Sequence, residues 1–236
     1  MVGDFNLTPG LEVKDTLLEG WLGGISAGLS DDFLQASRVR HLSDGQAVYN
    51  QGDEDRCLFG VASGFVRMFF TMNEQDPLLG HVVGPGFWFG EAGLILGQGR
   101  LMGAVASGPT DLWCLSEVSI DKIVQSNPQA WRAIAQLAVL NEALAIGAAE
   151  DLMIRDSRLR LAAVLLRLAN LRNAFQRTLP LLEVPVTQPE LAEAACLSRT
   201  VATDILRDFS QRGWVETGYR TIKILKPAEL SSILGS

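Results

Sequence analysis

The sequence predicts an α+β chain in three parts: an antiparallel β-sandwich or barrel, one long helix, and a helix-turn-helix with a β wing. Three observations predict it. Glycines punctuate short β-rich runs across residues 37–116, the turn spacing of an antiparallel unit. A helical pattern whose only glycine is Gly147 follows Asn127-Pro128. Two short helices with polar caps at Thr187 and Ser198 then stand a tight turn apart.

Taken in order, about ten residues at the start are expected to be loose, and WLGGISAGLSDDFL reads as short helical pieces. Runs such as FVRMFF and DLWCL follow, bounded by Gly45, Gly52, Gly64, Gly84, Gly86 and Gly90. The long helix starts where Asn127 caps free amides and Pro128 occupies the first turn. Its expected length, to about Arg155, is about 28 residues, or about 42 Å at 1.5 Å each. Trp131, Ile134, Ala138, Asn141, Ala145, Ala148 and Leu152 are spaced 3,4,3,4,3,4, a heptad seam suited to a parallel two-stranded coiled coil between subunits. Asn141 would fix its register. A second stripe, Leu137, Leu140 and Leu144, is free to pack on the sandwich. The implied division is 1–126, 127–156 and 157–236.

In the last part, Thr187 caps a helix with Pro189 and Glu190 in its first turn. Ser198 caps a second, whose expected inner face is Val201, Ala202, Ile205, Leu206 and Phe209. WVETGYRTIKIL, bent at Gly218, reads as a β wing.

The net charge of −7 hides an asymmetry. Residues 1–156 hold 9 Lys+Arg against 20 Asp+Glu, net −11, whereas residues 157–236 hold 11 against 7, net +4. A basic module on an acidic partner fits a polyanion-binding unit attached to something else. Cys57, Cys114 and Cys196 form no CxxC pair, so neither a disulfide framework nor a zinc site is indicated. His41 and His81 are the only histidines; both read as strand or loop residues, and catalysis by a nucleophile-base pair or a metal has little to draw on. No enzyme activity, no metal and no membrane span are expected: the most apolar window carries Asn141 and Glu142 at its centre. The expected compartment is the cytoplasm.

From about Trp21 onward the chain resembles the cyclic-AMP receptor and fumarate-nitrate regulator (Crp/Fnr) family of bacterial transcription factors. Three matches carry this: Leu42, Gly45, Val48, Gly52, Asp53, LFGVASGFVR and the cassette from Gly90-Glu91 to Arg100; the long helix after Asn127-Pro128; and LSRTVATDIL. The resemblance implies a β-roll sensor of the cyclic-nucleotide-binding jelly-roll type, a dimerisation helix and a C-terminal winged helix. It also implies double-stranded DNA, a second copy of the chain and RNA polymerase as partners.

In a helix-turn-helix the start of the second helix enters the major groove. Arg199 there can offer two parallel donors to guanine, worth about 1–3 kcal/mol of discrimination. Ser198, Thr200, Thr203 and Asp204 lie along the same stretch; Thr200 and Asp204 differ from the receptor's helix and imply a different half-site. Arg207, Arg212, Arg220 and Lys223 are phosphate-contact candidates. The competing expectation is a cyclic-nucleotide-binding signalling module whose C-terminal domain docks a protein.

The resemblance makes Gly90, Glu91, Ala92, Arg100 and Leu101 the effector cradle: helix amides and Arg100 for a cyclic phosphate, Glu91 for the ribose. Bacterial receptors have Ser or Thr where Leu101 stands, and hydroxyls for the adenine where Ala145 and Ile146 stand. Three outcomes remain open: cyclic AMP or a related cyclic mononucleotide, another small effector in the same apolar-walled pocket, or no ligand, with Glu91 and Arg100 paired to each other.

Overall fold

The computed structural model describes residues 20–70, 77–172 and 180–235. The loose start expected for the first ten residues lies outside them. Trp21–Gly24 forms a 3₁₀ turn and Ala27–Ala36 forms α1, the short helical pieces expected there.

Strands β1 (Arg38–Leu42), β2 (Ala47–Tyr49), β3 (Leu58–Phe70), β4 (Leu78–Val83), β5 (Trp88–Phe89) and β6 (Gly103–Leu115) make one antiparallel sheet in the order β1-β6-β3-β4. Within it β2 pairs with β6 and β5 with β3. The two 13-residue strands β3 and β6 are its spine. Their register breaks around Ser63, next to Gly64. Gly64 has φ +74°, and a Cβ there would stand 2.3 Å from the Pro109 carbonyl, so the bulge needs glycine. The bend lets both ends of β3 close over a core of Leu42, Val48, Phe59, Val61, Val66 and Phe89.

Helix α2 (Glu91–Leu96) leaves the sheet after β5, and α3 (Glu117–Ser126) is capped by Ser116, whose hydroxyl accepts from Ser119 N–H at 3.2 Å. The long helix α4 spans Gln129–Met153, 25 residues, shorter than the expected length. Asn127 Oδ1 accepts from Gln129 N–H at 3.2 Å, as expected of a cap. At the other end Arg160 holds the Ile154 carbonyl at 2.8 Å, and the chain turns out of the helix there rather than at Arg155. By length and composition α4 could cross a membrane, with a mean hydropathy of 1.3 over its most apolar window. Instead Ala133, Ile134 and Leu137 pack on Trp88, Leu115 and Ile120.

That packing corrects the seam. Ile134 is 0 % exposed inside its own protomer, so it belongs to no intersubunit face, and the half-buried Asn141 donates from Nδ2 to the Trp88 carbonyl of its own roll at 3.2 Å. The face α4 leaves uncovered runs through Val139, Ile146 and Met153, which are 61 %, 54 % and 79 % exposed. Trp131 and Leu152 stand at its edges, exposed, and Ala138 is half-buried. The second stripe behaves as expected: Leu137 and Leu144 are buried and Leu140 packs beside them.

The last part contains α5 (Ser157–Leu168), α6 (Gln188–Ala194), α7 (Arg199–Gln211), α8 (Pro227–Ser232) and a small sheet β7-β9-β8 of Glu183–Val184, Ile222–Ile224 and Val215–Thr217. Asp156 caps α5 by accepting from Leu159 N–H at 2.9 Å. Its core, centred on Leu161, Leu165, Leu191, Leu206 and Phe209, continues without a gap into Leu79 and Val82 of β4. The winged-helix unit is therefore docked on the sheet. Arg67 of β3 clamps it, donating to Glu190 Oε1 at 2.7 Å and to the Pro185 carbonyl at 2.8 Å. At the wing tip Arg220 reaches Asp44 at 3.2 Å.

Candidate functional site

Two surfaces matter, one on the winged-helix unit and one inside the roll. On the first, Thr187 and Glu190 form a reciprocal capping box that starts α6. The chain then turns through Cys196, at φ +50°, into Ser198, whose hydroxyl accepts from Val201 N–H at 3.3 Å. This presents the first turn of α7 outward. The Arg199 side chain is 76 % exposed, 3.8 Å from Glu193; Thr200 and Asp204 are exposed and Thr203 half-buried. One residue of the expected inner face is corrected: Val201 is exposed, because the turn from Ser198 brings only Ala202, Ile205, Leu206 and Phe209 onto the core.

The phosphate-contact candidates all stand near acids. Arg207 pairs with Asp204 at 2.9 Å, Arg212 with Asp208 at 3.0 Å, and Arg220 with Asp44 at 3.2 Å. Lys223 lies between Glu183 and Glu216 across the small sheet. Arg212, first, and then Arg158 hold the Asp208 carboxyl below the usual range by hydrogen bonding it. Such exposed pairs are weak, and a phosphate can take the acid's place.

Inside the roll, α2 begins at Gly90, φ +98°, where a Cβ would come within 2.8 Å of the Cys57 carbonyl. Arg100 folds back beneath it: Nη1 donates to the Gly90 carbonyl at 2.7 Å, and Nη2 to Asp55 at 2.8 Å and the Cys57 carbonyl at 2.7 Å. Its guanidinium lies 4.4 Å from the Tyr49 ring centre, a cation–π contact. Of the internal pair expected for an empty cradle, only half survives: the partner is Asp55 and not Glu91. Burial alone would raise the Asp55 carboxyl, but hydrogen bonds from Arg100 and Cys57 outweigh it and hold it low. Glu91 is buried, and burial raises its carboxyl although Asn141 hydrogen-bonds it.

These groups border a cavity of about 210 Å³ walled by Tyr49, Met68, Phe87, Phe89, Leu101, Met102 and Leu144, with Gly90, Glu91, Ala92 and Arg100 at one end. Ala145 and Ala148 of α4 also line it, whereas Ile146 is turned outward. The lining also includes His81 of β4, which the sequence reads only as a strand or loop residue, and Arg167 of α5, which it does not single out. Arg167 donates to Asp151 at 2.9 Å and the Gly80 carbonyl at 3.3 Å, and its Nη1 lies 3.4 Å from His81 Nδ1. An arginine only donates, so Nδ1 accepts and the His81 proton sits on Nε2, which finds no partner among the described residues. Burial, and then Arg167, push the imidazole down to about 3, so it stays neutral. Sequence reasoning missed these pairs because Asp55 stands 45 positions from Arg100, and His81 stands 86 from Arg167. No local pattern encodes such separations.

The comparisons agree with this geometry. A cyclic nucleotide-binding domain model matches residues 39–127, and a Crp-like helix-turn-helix domain model matches residues 159–233. The cyclic AMP receptor protein of Thermus thermophilus is 30 % identical over 211 residues, 89 % of this chain and 94 % of that protein. The transcriptional regulator SdrP of the same organism is 29 % identical over 174 residues, 74 % of this chain and 81 % of that protein. In fold, a CRP-family transcriptional regulator, also from Thermus thermophilus, superposes with a TM-score of 0.65 at 22 % identity, covering 84 % of this chain and 97 % of its own. A roll of the cyclic nucleotide-binding type joined to a Crp-like helix-turn-helix defines a DNA-binding transcriptional regulator. The chain belongs to the Crp/Fnr family of such regulators.

Proposed function

We propose that the chain acts as a homodimer in the cytoplasm, as a regulator rather than an enzyme, reading one half-site per protomer with Arg199. The observation that carries the reading is the outward first turn of α7, where Arg199, its side chain 76 % exposed, has among the described residues only the 3.8 Å approach of Glu193. A second copy is supported by the exposed Val139–Ile146–Met153 face of α4 and by the groove beside it, lined by Trp21, Ile25, Arg132 and Leu140. Two such faces meeting as parallel helices would bury apolar surface that one protomer leaves in water. Thr200, Thr203 and Asp204 would set the half-site, with Arg207, Arg212, Arg220 and Lys223 on the phosphates. A small effector in the roll and contacts to RNA polymerase belong to the same proposal.

The test is selection from a randomised duplex pool, followed by titration at several salt concentrations. Specific binding with a steep fall of log K against log salt is expected. Arg199→Ala should cost about 1–3 kcal/mol and relax preference at one base pair. A protein that enriches no duplex, or whose binding ignores salt, would sink the reading and favour a protein partner for the C-terminal unit.

A further inference from the structure

The cradle end of the cavity has little left for an oxyanion. Both N–H groups of Arg100 Nη2 and one of Nη1 are taken by protein oxygens at 2.7–2.8 Å, which spends the fork that makes arginine a phosphate ligand. Leu101 puts an exposed apolar chain beside it. The cations at the wall have carboxylate partners, Arg100 with Asp55 and Arg167 with Asp151, and Glu91 adds a further carboxyl. A volume of about 210 Å³ is also below the roughly 300–1,000 Å³ of sites for larger organic ligands.

What the cavity does offer is an apolar wall and orphaned donors. Among the described residues, His81 Nε2–H and Arg100 Nε–H are both buried and without a partner. A buried donor left unpaired is costly, and an incoming acceptor would recover that cost. One lining residue belongs to the DNA-binding unit: Arg167, on α5, approaches the other nitrogen of His81 at 3.4 Å.

We propose that this cavity takes a compact, uncharged, mostly apolar ligand whose carbonyl-type oxygen accepts from His81 Nε2–H, and that the ligand reports to the DNA-binding unit through the His81–Arg167 contact. This rests on reading the roll as the sensor of a regulator. The ligand would fill the space between Phe87, Met68 and Leu144, and in anchoring the His81 ring it would fix the acceptor that Arg167 uses.

Acetophenone is a suitable probe, with ethylbenzene as its acceptor-free counterpart, and benzoate and cyclic AMP as anionic ones. Calorimetric titration of the full-length protein should show saturable binding of acetophenone in preference to the other three. His81→Leu should weaken acetophenone about tenfold and leave ethylbenzene unchanged, while His81→Gln, which keeps an N–H, should retain most of the affinity. In the unmodified protein, the carbonyl carbon of bound ¹³C-labelled acetophenone should lie downfield of its position in cyclohexane, where no donor is present, a readout that does not depend on any variant folding. Equal affinity in His81→Leu, an unshifted carbonyl, or tighter binding of benzoate or cyclic AMP would overturn the proposal. Duplex binding measured on the same sample separates the two readings: DNA bound with no acetophenone taken up defeats this inference alone, and acetophenone taken up with no duplex bound defeats the DNA-reading proposal and the report to that unit, while the ligand site stands.

Discussion

The clamp between Arg67 and Glu190 makes the docking of the winged-helix unit measurable. The Arg67 side chain is 9 % exposed and that of Glu190 20 %, so solvent screens the pair little. Arg67 makes two hydrogen bonds across the junction, to Glu190 Oε1 at 2.7 Å and to the Pro185 carbonyl at 2.8 Å. Bonds of this charged kind contribute about 1.5–3 kcal/mol each. Arg67→Met keeps the apolar stem and loses both, while Glu190 still caps α6, accepting from Thr187 N–H at 2.7 Å. The expected loss is therefore about 2–4 kcal/mol, below the simple sum, because the carboxylate is not stranded. Glu190→Gln keeps the capping geometry and removes the charge. Urea denaturation of the wild type, the two single variants and the double variant, all at one protein concentration so that the proposed self-association weighs on each alike, yields their coupling. A value of about 1.5–3 kcal/mol is expected; below about 0.5 kcal/mol the pair would count as independent, and the clamp could not be what holds the units together.

Three further outcomes follow from single groups. Unfolded His81 binds a proton below pH 6.5 while the folded ring stays neutral to about 3, so stability should fall as pH drops through that window; melting temperatures of the wild type and His81→Gln should diverge between pH 7 and 4.5, and parallel curves would contradict this. Ile146→Glu, on the exposed face of α4, should shift sedimentation toward monomer with secondary structure intact, whereas Ile134→Glu should unfold the roll, since an unpaired carboxylate would enter its core; a dimeric Ile146→Glu would mean the copies meet elsewhere. Gly90→Ala should cost more than about 1 kcal/mol, because φ is +98° and the new Cβ meets the Cys57 carbonyl and Arg100; thermal unfolding that matched the wild type would show that the turn relaxes.

Much of the architecture was legible because it is written in local chemistry. Thr187 followed by Glu190, and Ser198 followed by Arg199, announce helix starts through hydrogen bonds spanning three residues. Glycines at φ > 0, such as Gly45, Gly52 and Gly64, mark turns that side chains would strain. The face of α4 was not legible in the same way. Apolar residues surround that helix, so a 3,4 spacing can be drawn along more than one side, and the stripe through Ile134 and Asn141 is as regular as the one through Val139 and Ile146.

By itself, then, the sequence determined the order of roll, long helix and winged helix, and the outward Arg199, because caps, turns and periodicity act between residues a few positions apart. Only the tertiary structure decided that Asp55 rather than Glu91 neutralises Arg100, that Ile134 faces inward, and that His81 and Arg167 close the cavity between two units. The two pairings join residues 45 and 86 positions apart in the chain, and burial and charge there depend on which strands and helices the folded sheet brings together.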